Sequence, residues 1–299
     1  MTNEELDNFI EAGKIAGRIR EESKSLIMVD EPLLDIAETI EKMIYDEGVQ
    51  PAFPVNISIN DNAAHYTPEF ECALTLGEND VVKIDLGVAI EGAISDTAYT
   101  IDLSGKNENL VKASSEALDA ALLAIKPGVG VGEIGGIIED KIKSYGFKPI
   151  SNLTGHMIKS NDLHAGVSVP NVRGTGDSYT FKVGDIFAIE PFATNGRGQV
   201  EDSEQVEIFS IHSAQPIRMR QSRQILQHVI EKYGVLPFAE RWVRREFKSK
   251  LLVSAALKEM LEAGVLRGYP VLKEQAGSLV AQFEHTILIE ENGARVLSK

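Results

Sequence analysis

Apolar residues recur at helical spacing in two successive stretches, then run together or alternate, and the whole pattern is repeated further along the chain. In the first stretch Leu6, Phe9, Ile10, Gly13 and Gly17 share one face, with Asn3 as the expected cap of a helix starting at Glu4. The two glycines imply close packing against another element. A second helix is expected from Pro32, carrying Leu33, Ile36, Ala37, Ile40, Met43 and Ile44 and stopping at Gly48. Residues 51–68, rich in Pro and Asn, read as strand and loop. In residues 81–100 two apolar runs flank Glu91-Gly92, the signature of a β-hairpin. Helical patterns return over 108–125 and 132–145, separated by PGVGVG and stopped by Gly146.

Each hairpin run carries one acid, Asp85 and Asp96, placed symmetrically about the Ile90–Glu91 bond. A register centred there makes the two carboxylates cross-strand neighbours, whose like charges repel. Buried, such a pair requires a cation or a shared proton. Two exposed strand acids in an acidic chain are the plain alternative.

The repeat is also visible in the letters. GENDVVKID, ending at Asp85, resembles VGDIFAIE, ending at Glu190; Asn62-Ala-Ala-His65 is echoed by Asn161-Asp-Leu-His164; Ala93-Ile-Ser-Asp96 has a looser echo in Ala281-Gln-Phe-Glu284. Each half supplies one histidine and two strand acids in the same order. Glu190 and Glu284 are much further apart than Asp85 and Asp96, so the second hairpin carries an insertion. It is mostly helical, and we place the inserted subdomain at about 212–272 within a single domain spanning 1–299.

Composition narrows the function. Hydrophobic residues at 43% and charged residues at 25% fit a soluble globular protein, and 299 residues can bury a sizeable core. The net charge of −15 argues against a chain that coats nucleic acid with its whole surface. Residues 216–250 run the other way, with nine Lys or Arg against three Glu. They are either a solvated helical face or a contact for RNA or the ribosome. A lone cysteine, Cys72, excludes an internal disulfide and reads as a packed thiol. With neither signal peptide nor apolar span, the expected location is cytoplasmic.

Four strand acids converging across an internal two-fold make a hard, oxygen-rich site for two divalent cations. Of six histidines, His156 follows Gly155, which allows close backbone approach, and it is taken as the nitrogen ligand.

The segments FPVNISINDNAAHYTP (53–68), KIDLG, Gly155-His156, LHAG (163–166), VPN (169–171), AIEPF (188–192) and AQFEHTI (281–287) together resemble the type 2 methionine aminopeptidases in their short, archaeal form. The resemblance covers essentially the whole chain. It implies an α+β, pita-bread fold with an internal pseudo-two-fold repeat and a helical insertion. It also implies removal of an N-terminal initiator methionine preceding a small residue, by a hydroxide held between two metal ions (Co, Mn, Fe(II) or Zn). The implied ligands are Asp85, Asp96, His156, Glu190 and Glu284. Asp85 chelates one ion, His156 and Glu190 bind the other, and Asp96 and Glu284 bridge. Glu190 relays a proton, His65 and His164 contact the scissile amide, and Phe53, Leu163 and Tyr269 form the methionine pocket or belong to the core. Residues 199–211 depart from the family pattern and receive no pocket assignment. A monomer acting on peptides and nascent polypeptides is expected. Prolidases and X-Pro aminopeptidases share fold and ligands but typically carry a large preceding domain, for which the early start of the repeat leaves no room. A non-catalytic RNA-binding relative would typically lack several ligands.

Overall fold

The computed structural model describes residues 2–176 and 178–299. Helices α1 (Asn3–Ser23), α2 (Leu33–Asp46), α3 (Glu108–Ala124) and α4 (Val131–Ser144) form two pairs, each followed by strands. Asn3 does not cap α1. Thr2 does, its hydroxyl accepting from the Glu5 N–H while the Glu5 carboxylate accepts from the Thr2 N–H, which satisfies two otherwise orphaned donors. Both glycines of α1 touch the chain's last residues: a Cβ on Gly13 would lie 2.6 Å from Leu297, and one on Gly17 2.9 Å from Lys299. Any larger residue would push that segment away.

Among the described residues a nine-stranded antiparallel sheet runs Gln50–Pro51, Val81–Ile90, Ala93–Asp102, Glu284–Glu290, Ile186–Ile189, Thr154–Ile158, Ser168–Pro170, with two further strands pairing at its sides. The strands Ala93–Asp102 and Glu284–Glu290 meet at its centre, where the halves join. The interrupted hairpin is restored in space: His285 pairs with Ile189, so the strands bearing Glu284 and leading to Glu190 are neighbours despite the insertion. This is the pita-bread arrangement that the resemblance implies.

The cores of the two helix pairs lie on one face of the sheet, while the start of α1, at Phe9, also meets residues of the other face. Val82, Ile84, Leu86 and Val88 join the core beneath α1 and α2, whereas Phe187, Ile189, Ile287 and Ile289 join the core beneath α3 and α4. Side chains alternate along a strand, so positions between these point to the opposite face.

The inserted segment holds α5 (Arg220–Tyr233), α6 (Glu240–Glu246) and α7 (Lys250–Glu262), packed around a separate core that includes Trp242, Val253 and Leu257. Its return path is a strand, Leu266–Lys273, paired on one side with Glu201–Ile211 and on the other with Asn62–Ala64. The basic stretch 216–250 is not one cationic surface. Arg241 is buried at 1% exposure, paired with Glu41 of α2 and donating to Thr67. Arg244 is also buried, over the Phe70 ring, and exposed Arg245 pairs with Glu38. Burying a charge requires a partner, which is why Glu41 is recruited.

Candidate metal centre

The hairpin register differs from the one expected. A two-residue loop, Glu91-Gly92 with φ of 47° and 88°, makes Ile90 face Ala93, because a tight turn of this kind needs positive φ at both central residues. Asp85 therefore lies opposite Ala98, and Asp96 opposite Gly87. The acids are diagonal neighbours on one face rather than a facing pair.

That register, carried across the sheet, lays out the site. One row contains Asn56, Asp85, Ala98 and Glu284, each opposite the next on adjacent strands, and Glu190 follows one step beyond the His285–Ile189 pair. The adjoining row contains Gly87 and Asp96, then Thr286, Ala188 and His156. All five expected ligands thus stand in two neighbouring rows on the face opposite the cores of the two helix pairs. Ala98 stands between Asp85 and Glu284 in the first row, and the Phe53 ring packs over Gly87 in the second, where a Cβ would meet it at 2.5 Å. Gly155 is required here, since its Cβ would lie 2.5 Å from the Ala188 carbonyl oxygen.

Side-chain distances fit a shared cation. The His156 Nε2 lies 3.5 Å from an Asp96 oxygen and 3.6 Å from a Glu190 oxygen, too far for good hydrogen bonds. Ligand atoms of Asp96, His156 and Glu284 all fall within 4.8 Å of one another. Asp85 Oδ1, Asp96 Oδ1 and Glu284 Oε1 are buried with no hydrogen-bond partner, a costly arrangement that bound cations would satisfy. Burial pushes Asp96 up to about 7, and burial plus the neighbouring carboxylates raises Asp85, Glu190 and Glu284 well above the ordinary range. Burial lowers His156 to about 4, keeping its imidazole neutral and able to ligate.

All ten expected site residues border one cavity of about 440 Å³. His65 sits in the left-handed region, φ 64°, with Nδ1 3.2 Å from the Pro270 carbonyl, and its ring meets Tyr269 edge-on at 5.8 Å. His164 lies 4.5 Å from His156, ring to ring. The residue is exposed overall, yet burial of its ring, and after that His156, hold its pKa below the usual histidine value. Phe53 and Leu163 line the cavity and also join a buried apolar cluster.

Other residues escaped the sequence reading. Ile208, within the unassigned 199–211 segment, faces Tyr269 and lines the cavity; only its strand pairing reveals this. Gln282 is buried at 1%, and its amide nitrogen points toward oxygens of Glu190 at 3.5 Å and Glu284 at 3.4 Å, long contacts that place a donor beside both carboxylates. Thr97, Thr100 and Thr286 hydrogen-bond across the junction of the halves, at 2.8, 2.6 and 2.8 Å, fixing the ligand strands to each other.

The family model for metallopeptidase family M24 matches residues 7–291. The chain belongs to the M24 metallopeptidase family. It is 46% identical over 299 residues to a methionine aminopeptidase of Methanocaldococcus jannaschii, covering 100% of both chains. A thermophilic Arx1 superposes with a TM-score of 0.88 at 20% identity, over 99% of this chain and 91% of that one. A methionine aminopeptidase of Thermotoga maritima superposes at 0.73 and 23% identity, over 100% and 98%. For this M24 protein, a divalent metal requirement agrees with the buried donor set. No helix among the described residues is long and apolar enough to cross a membrane.

Proposed function

We propose that this chain is a type 2 methionine aminopeptidase, a cytoplasmic monomer that hydrolyses the bond after an N-terminal methionine of peptides and nascent polypeptides when the second residue is small. The observation that carries the reading is the pair of ligand rows opening into a cavity with apolar walls, in a chain so similar to archaeal methionine aminopeptidases. The helical segment at about 212–272, interrupting the second hairpin, supports the type 2 assignment and acts as an insertion subdomain of one catalytic domain.

Asp85, Asp96, His156, Glu190 and Glu284 would hold two divalent ions (Co, Mn, Fe(II) or Zn), which when bound polarise the scissile carbonyl and lower the pKa of a water. Glu190, whose pKa burial and nearby acids raise, takes a proton from the attacking water and passes it to the leaving amine. His65, anchored through Nδ1 by the Pro270 carbonyl, keeps its other nitrogen for the scissile amide, and His164 faces the same intermediate from the opposite half. Phe53, Leu163 and Tyr269, joined by Ile208, enclose the thioether of methionine.

Purified protein loaded with each metal in turn is expected to cleave Met-Ala-Ser and to leave an Ala-Pro peptide intact. If Met-Ala-Ser survives every metal, or if Asp85→Ala cleaves it as fast as the wild type, the reading is wrong. Contact with RNA or the ribosome would be an added property of the exposed cations Arg218, Arg220, Arg223, Lys232, Lys248 and Lys250. It requires a salt-dependent RNA affinity that Glu substitutions at Arg218, Arg220 and Arg223 remove.

A further inference from the structure

The cavity is electrically two-sided. Its floor carries the four carboxylates, while Arg267 is the one Lys or Arg among the described residues that line it. Arg267 is exposed, and no carboxylate pairs with it among the described residues. Its guanidinium lies over the Tyr269 ring, 5.4 Å from the centroid, and that ring in turn meets His65 edge-on. Tyr269 is itself held by a 3.1 Å contact between its hydroxyl and that of Ser210, so the stack is fixed to the Leu266–Lys273 and Glu201–Ile211 strands. Burial is what chiefly lowers His65 and His164, with Arg267 adding to it in the same direction; exposed Asp202, outside the cavity lining, acts oppositely on His65 and ahead of Arg267.

We propose that Arg267 is a specificity-determining residue that receives a carboxylate at the third or fourth position of the substrate, so that this enzyme prefers acidic over basic residues there. The proposal rests on the aminopeptidase reading. With the scissile amide at His65, Arg267 lies two ring contacts further out, on the order of 10 Å. An extended chain advances roughly 3.3–3.6 Å per residue, so the side chains two or three residues past the scissile bond reach it. In an otherwise acidic protein, an unpaired guanidinium at the rim also offsets the repulsion that an acidic substrate would meet, and it offers a bidentate fork that matches a carboxylate.

The test uses full-length, metal-loaded protein and the amidated peptides Met-Ala-Ser-Xaa-Ser with Xaa as Asp, Ser or Lys, amidation removing the terminal carboxylate. The wild type is expected to show kcat/KM in the order Asp, Ser, Lys, with about two- to fivefold between successive peptides at low salt, the range of an exposed charge pair, shrinking as salt is added. Arg267→Gln flattens the series and Arg267→Glu inverts it. Lys14→Glu makes the same change of net charge as Arg267→Glu, on an exposed part of α1, and leaves the order intact. Equal rates for the three peptides with the wild type, or a series unchanged in Arg267→Glu, overturn the role of Arg267. Failure to cleave any peptide overturns the aminopeptidase reading instead.

Discussion

Asp85 and Asp96 sit diagonally across their hairpin, Asp85 opposite Ala98 and Asp96 opposite Gly87, so that each acid faces a position with almost no side chain. Ala98 also separates Asp85 from Glu284 in their row, while the Phe53 ring packs over Gly87 beside Asp96.

Replacing Asp85 with asparagine removes one charge from a cluster in which Asp96 opposes its ionisation. Peptide cleavage by Asp85→Asn should fall at least about a hundredfold, by loss of a donor to the ions. The metal-free variant should melt no lower than the metal-free wild type, as followed by differential scanning fluorimetry in chelator. A lower melting temperature would mean that repulsion is not what this position contributes.

The pH dependence has a definite sign. Asp96 titrates near 7 when folded against 3.8 in the open chain, so the folded protein binds more protons between those values. Without metal, ionising it costs stability progressively as pH rises from about 4 through 7. The lowered histidines act oppositely below about 6.5, so the comparison must isolate Asp96. Asp96→Asn should match the metal-free wild type near pH 4, exceed it increasingly up to about pH 7, by a few kcal/mol in denaturant titrations, and keep a level advantage above that. An advantage that is constant with pH would contradict the titration.

Ala98→Leu fills the gap between Asp85 and Glu284 in their shared row. Overpacking of this kind costs about 1–3 kcal/mol. Metal affinity should fall by at least about tenfold in isothermal titration, more than the modest loss of folding stability would produce, because the substitution occupies the ion space itself.

Arg241→Ala strands Glu41 as a buried, uncompensated charge that still accepts from Trp242 Nε1. The expected loss is about 3–5 kcal/mol in urea unfolding. Arg241→Ala combined with Glu41→Ala should recover part of it, since the doubled variant leaves no lone charge.

Much of this was legible in the sequence. The two helix pairs follow from apolar periodicity, the hairpin from Glu91-Gly92, and the duplication from matched acids and histidines, since each depends on neighbours within a few residues. The cap of α1 is not legible to the residue, because Asn3 and Thr2 are both competent caps and only the reciprocal bond with Glu5 distinguishes them. The nature of the 216–250 stretch was not legible either: counting charges cannot show that Arg241 turns inward to meet an acid two hundred residues away.

The sequence by itself determined which side chains are candidates for the chemistry, because carboxylates and an imidazole in strand text are local facts. Tertiary structure alone decided how they stand relative to one another. The turn sets the hairpin register, the register sets which small residues separate the acids, and pairing at the centre of the sheet aligns the Glu284 strand with the hairpin. Register is a relation between strands far apart in the chain, fixed by hydrogen bonding and by which face is buried, and no single strand encodes it.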